Sequence, residues 1–290
     1  MTEQSFRNPR NGMNIGYVSR GEGQLVVFVH GFPDTYRGFL PVLDLVAGAG
    51  YRAVAMALRG YAPSDLARDG DYRVEASAQD VIDLADGLGA EQFSVVGHDW
   101  GAVTGYAAAN LAPQRVRRLI TAAVPHTGHF LLSMGPRQIK RSLYMLGFQV
   151  PVLPEAKIVN NDFAWLESLI HGWSPAWRFG EKEMRPLKQN YLEPGRLKAA
   201  LSWYRQLPRS IASPLSRRLI FSAVSVPTRI IYGVQDGCIG PEMFAGQEKR
   251  FSNGLDLVPL SDAGHFMQWE QPEKFAQLVI DFLEPPAGKS

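Results

Sequence analysis

Three titratable residues stand just after apolar runs, in the order Asp99, Asp236, His265. Asp99 lies in "SVVGHDWGAV" (94–103), a β-branched run followed by Gly97 and Gly101 on either side of the acid. Two glycines at that spacing permit a sharp strand-to-helix turn that exposes the residue at its tip. The free N–H groups and positive dipole end of the helix opening at "WGAVTGYAAANLA" favour a charged carboxylate there. The plainer reading of Asp99 as an N-cap is open from this stretch alone. Asp236 closes "IIYGVQD", and His265 follows a late apolar run in "SDAGHFMQWEQPE". An acid accepting from one ring nitrogen fixes the tautomer, so that the other nitrogen can take a proton from water. Asp262 is a rival acid, but it is three residues from His265 and better suited to capping the turn. Of the other histidines, His30 and His98 suit backbone support, while His126, His129 and His171 have no carboxylate close in sequence. "HGFPDT" (30–35) leaves the Phe32 N–H free to aim inward, where with the Trp100 N–H it would form a two-donor oxyanion hole.

These residues need rigid elements to hold them. Apolar runs begin at residues 25, 51, 93, 116, 226 and 255, as fully buried strands do in a parallel sheet covered on both faces. Ala78, Val81, Ile82, Ala85 and Leu88 recur at helical spacing between two of them and predict a βαβ unit. From 126 to 215 the pattern changes to Trp-, Met- and Pro-rich helices. The expected organisation is a core of residues 1–125 and 216–290 with a helical cap at 126–215, set over the carboxyl ends of the strands where open α/β sheets bind ligands.

Composition narrows the function. Lys plus Arg number 30 against 28 Asp plus Glu, which gives no reason to expect nucleic acid or an anionic membrane as partner. The single cysteine, Cys238, allows no intrachain disulfide and supports no zinc cluster. The N-terminus lacks a signal-peptide core and no run has the length of a membrane helix, so the expectation is a cytoplasmic protein, monomeric or homodimeric.

"HGFPDT", "RGYAPSD", "GHDWGA", "YGVQDGCIG" and "DAGHFMQWEQPE" together resemble the α/β-hydrolase superfamily, and "HGFP" with "GHDWGA" resembles its epoxide hydrolase branch. The resemblance implies an α/β-hydrolase fold in which an elbow Asp attacks carbon to form an alkyl-enzyme ester that His-activated water hydrolyses. It also implies two cap tyrosines as acids toward the epoxide oxygen. Tyr144 in "RSLYMLGFQVP" and Tyr204 in "LSWYRQLP" match those contexts, whereas Tyr191 does not. Pro33, Trp100, Met145 and Phe148 are then the expected substrate wall, the substrate an apolar epoxide, and neither metal nor organic cofactor is required. The chain departs from the common pattern at Met145, where some members are polar, and at Ala57, often acidic. Haloalkane dehalogenases share the machinery but need a side-chain halide donor at the place of Phe32, and fluoroacetate dehalogenases usually carry Arg where Trp100 stands. Residues 119–154 hold no Asp or Glu to replace Asp236. A serine esterase is excluded by Asp99, and a ligand-binding protein on the same fold is the remaining alternative.

Overall fold

The computed structural model describes residues 2–283. In chain order the first half holds β1 (Gln4–Arg7), β2 (Asn14–Arg20), β3 (Gln24–Val29), α1 (Leu40–Gly48), β4 (Tyr51–Met56), α2 (Val74–Gly87), β5 (Phe93–His98), α3 (Trp100–Leu111) and β6 (Val116–Ala122). A wholly helical stretch follows: α4 (Thr127–Ser133), α5 (Pro136–Arg141), α6 (Leu143–Gly147), α7 (Leu153–Trp173), α8 (Glu181–Leu192), α9 (Arg196–Arg205), α10 (Leu207–Ala212) and α11 (Pro214–Phe221). The chain then returns through β7 (Thr228–Gly233), β8 (Leu255–Leu260), α12 (Met267–Glu270) and α13 (Pro272–Ile280).

The eight strands make one sheet in the order β1-β2-β4-β3-β5-β6-β7-β8, antiparallel through β1, β2 and β4 and parallel from β4 onward. Successive side chains of a strand point to opposite faces, so each buried strand feeds two cores. Val27 and Val29 of β3 join α2 and α3 on one face, while Val26 and Phe28 join α1 and α13 on the other. The sequence left β1 and β2 unassigned, because "QSFR" and "NIGYVSR" lack the long apolar run of a central strand. They close the edge beyond β4.

Because β4 and β5 flank β3, the chain leaves β3 in both directions and opens a crevice at its carboxyl end. The loops after β3 and β5 meet there. After β4, buried Arg59 donates at 2.6 Å to Asp80 of α2 and to the Ala76 carbonyl, holding the "RGYAPSD" loop down. The helices α4–α10 all leave and return between β6 and β7, and α11 packs onto α2 and α3. Helix α7 is broken midway, where Asn161, Asp162 and Phe163 take left-handed φ values of 49°, 52° and 66°. Among the described residues, no helix is long and apolar enough to cross a membrane.

Candidate active site

Asp99 occupies the single residue between the end of β5 and the start of α3, with φ 53° and ψ −119°. A β-carbon in this region is strained, and such strain persists only where the surroundings impose it. Three glycines do so. A Cβ on Gly101 would collide with the carbonyl of Val29 and stand 2.7 Å from that of His30, and one on Gly97 would strike the first turn of α3. One on Gly31 would stand 2.5 Å from Asp99 Cβ and 2.6 Å from Trp100 N. Asp99 makes no side-chain cap bond to its own helix, which removes the N-cap reading. Its Oδ1 instead accepts from Phe32 N at 2.7 Å, across from β3. Trp100 N is the first amide of α3 at the same turn.

The other carboxylate oxygen faces the histidine. His265 Nε2 is 3.7 Å from Asp99 Oδ2, and Nδ1 lies 2.8 Å from Asp236 Oδ2. All three residues are buried. Burial alone would lower the His265 pKa, but the two carboxylates outweigh it and raise it to about 10. Asp236 Oδ1 accepts from the amides of Cys238 and Ile239, which orients Oδ2 toward the ring. Asp262 is exposed and does not compete.

The loop carrying His265 is held by Trp173, Ser174 and Glu270, which sequence reasoning passed over, and by His98, which it expected to support backbone. His265 N donates to the Trp173 carbonyl at the end of α7, and Phe266 N donates to Ser174 Oγ. Glu270 accepts from Gly264 N and Ser174 Oγ, and His98 Nε2 lies 2.9 Å from the His265 carbonyl. Buried Asp34 ties the "HGFPDT" loop to α12 by accepting from Gln268 and Trp269, and desolvation pushes its pKa up to about 7. His30 bridges the Gly31 carbonyl and Leu58 N. No local signal marks Ser174 or Glu270, which lie 96 residues apart in sequence.

An apolar cavity opens on Asp99 and is walled by Trp100, Phe130, Tyr144, Met145, Tyr204 and Cys238, among others. Burial pushes both phenols well above the usual tyrosine range, so each stays a neutral donor. Their rings are 5.9 Å apart, and Tyr204 packs edge-on against Trp100 at 5.0 Å. Tyr144 Oη has Cys238 Sγ at 3.6 Å. Tyr204 Oη has no partner in hydrogen-bond geometry, with the Trp100 indole and Tyr144 hydroxyl as its polar neighbours. The expected substrate wall divides. Trp100 and Met145 line this cavity, whereas Pro33 lines a separate one beside Trp177, and Phe148 backs Phe32, Tyr144 and Tyr204 from behind. Tyr191 does not line this cavity and is stacked on Phe32.

Asp236, Cys238 and His265 present the only set of three potential metal-donor atoms gathered within 4.8 Å among the described residues. The donors fit a metal poorly. Both Asp236 oxygens are already bonded, and burial pushes the Cys238 thiol well up, against the thiolate a metal needs.

The fold and the elbow define a hydrolase scaffold with an acid, Asp99, at the turn between β5 and α3. Residues 24–272 match the family described as alpha/beta hydrolase fold, and the chain belongs to that family. It is 30% identical over 277 residues to AB hydrolase superfamily protein YfhM of Bacillus subtilis (strain 168), covering 94% of each chain. It is 28% identical to human Epoxide hydrolase 4, covering 96% of this chain and 78% of that one. Among solved structures, the epoxide hydrolase of Bacillus megaterium in complex with an inhibitor superposes with a TM-score of 0.83 at 29% identity, over 96% of this chain and 99% of that one. The resemblance to the epoxide hydrolase branch, drawn from the motifs alone, is borne out by these relatives.

Proposed function

We propose that the protein hydrolyses an apolar epoxide to a vicinal diol in two steps. The observation that carries this reading is the pair of neutral phenols, Tyr144 and Tyr204, on the wall of the cavity that opens on Asp99. In the first step Asp99 attacks a ring carbon, the C–O bond of the ring breaks, and the departing oxygen takes a proton from a phenol. General acids of this kind contribute roughly 10² to 10⁴ in rate. In the second, His265 deprotonates water, which attacks Asp99 Cγ. The oxyanion is stabilised by the amides of Phe32 and Trp100, the bond from Cγ to the ester oxygen breaks, and that leaving oxygen takes the proton from His265 to release the diol.

The His265 environment supports this order. While Asp99 and Asp236 are both charged they hold a proton on the ring, which therefore cannot serve as a base. Alkylation turns Asp99 into a neutral ester and removes one of those charges, so the ring can release its proton, which restores the phenol that gave one up in the first step, before water is activated. The helices α4–α10 act as the cap that keeps the first step dry. Haloalkane dehalogenation is disfavoured because Phe32 brings only a backbone amide to the site.

Intact mass spectrometry of His265→Gln mixed with a simple aryl epoxide tests the scheme. We expect a mass gain equal to the whole epoxide, located on the Asp99 peptide. No adduct, together with no diol from the native protein, would overturn it, and halide release from bromoalkanes instead would move the assignment to dehalogenation.

A further inference from the structure

Eight of the twelve exposed large apolar side chains among the described residues fall between positions 132 and 159. Leu132, Leu146, Leu153 and Val152 are 67%, 67%, 68% and 71% exposed, with Ile139 and Leu143 between them. Single exposed apolar residues need no explanation, but a cluster of this kind marks an interaction surface. The same wall has two faces. Leu131, Ser142 and Met145 look into the Asp99 cavity, while their chain neighbours Leu132, Leu143 and Leu146 look out. Tyr144 lines both that cavity and a second apolar groove formed by Phe148, Val150, Leu153 and Trp165.

We propose that the outer face of residues 132–153 docks peripherally onto an anionic lipid bilayer, from which an apolar substrate enters the cavity. Charge selects this occupant. Residues 119–154 contain no Asp or Glu, and exposed Arg137 and Lys140 stand among the apolar side chains. Glu155, the next acid along the chain, pairs with Arg205, and Glu242 pairs with Arg141 of α5. A second copy paired across a two-fold axis would bring this basic face against itself. Anionic headgroups complement it, and apolar side chains beside basic ones are the composition of interfacial segments. The proposal departs from the expectation of no membrane partner, which rested on net charge and the lack of a spanning helix. Neither quantity reports a one-sided surface. The route for substrate rests on the proposed epoxide chemistry, but docking itself is read without turnover.

The test is flotation with vesicles of phosphatidylcholine alone or mixed with phosphatidylglycerol. We expect the native protein to float with the mixed vesicles only, and less so as salt rises. Arg137→Ala with Lys140→Ala should weaken partitioning by about 25-fold, at about fivefold per basic side chain. Leu146→Glu with Val152→Glu should abolish it, with an unchanged thermal melt and unchanged hydrolysis of a water-soluble epoxide. A native protein that stays behind with mixed vesicles, or floats equally with both at any salt, overturns the proposal. So does a dimer in sedimentation velocity that Leu146→Glu with Val152→Glu dissolves while no vesicle is bound, since the face is then a self-association surface.

Discussion

His265 Nε2 stands 3.7 Å from Asp99 Oδ2, close enough for strong charge coupling but beyond a hydrogen bond. The histidine thus senses whether Asp99 carries its charge. In Asp99→Asn, with one of the two carboxylates gone, the imidazole titration followed by NMR should fall from about 10 by roughly one to two pH units. An unmoved titration would mean that Asp236 alone sets the protonation state, and the two-step order proposed above would lose its physical basis.

The glycines around the elbow act by exclusion. A Cβ at position 101 meets Val29 and His30, and one at position 31 meets Asp99 and Trp100. Because the obstacles are backbone or the Asp99 side chain, relief requires parting β3 from α3. Gly101→Ala should destabilise the protein by about 1–3 kcal/mol or more in urea unfolding. Gly31→Ala should lose activity out of proportion to stability, since its clash falls on Asp99. Equal losses in both variants would show that the loop after β3 yields without disturbing the acid.

Tyr144 and Tyr204 differ in their partners. Tyr144 has Cys238 Sγ at 3.6 Å, whereas Tyr204 Oη has no partner in hydrogen-bond geometry. Each Tyr→Phe change should slow the formation of the Asp99 adduct in rapid-quench measurements, and the double change should slow it by roughly 100-fold or more. Hydrolysis of an adduct already formed should change much less. A double variant that forms adduct at the native rate would remove both phenols from the mechanism.

Much of this site was legible because its parts sit where elements end. Asp99, Asp236 and His265 each follow an apolar run, and glycine spacing marks the elbow. What stayed hidden depends on which way a side chain faces. Leu131 and Leu132 are adjacent and identical in type, yet one lines the cavity and the other is exposed. Pro33 and Phe148 carry suitable chemistry and sit one layer away from the Asp99 cavity. Ser174 and Glu270, 96 residues apart, hold the histidine loop between them, a contact that only the closed fold creates. The edge strands are recruited by pairing, β2 to β4 and β1 to β2, and carry little periodic signal of their own.

Acid stability should depend on histidines outside the reaction, and His126 gives the clearest case. Its Nε2 lies 2.9 Å from the Ser222 carbonyl, and its Nδ1 accepts from His129 N at 3.3 Å. A second proton would have to displace that accepted bond inside a buried site, and desolvation accordingly lowers its pKa to about 4. The unfolded chain takes up this proton near the ordinary value of 6.5, so between 6.5 and 4 it binds more protons than the folded one and stability falls as pH falls. His30 and His98, lowered to about 4 and about 3 by burial, act in the same sense. Asp34, raised to about 7, opposes them, because its burial favours the protonated fold below that value. The net slope therefore mixes signs, and a difference between variants isolates one group. His126→Gln should flatten the dependence of unfolding free energy on pH between 6.5 and 4 by up to about 1.4 kcal/mol per pH unit. It should do so whatever it costs at neutral pH, as read from urea unfolding at several pH values. Parallel curves for the native protein and the variant would mean that His126 is protonated as easily in the fold as out of it.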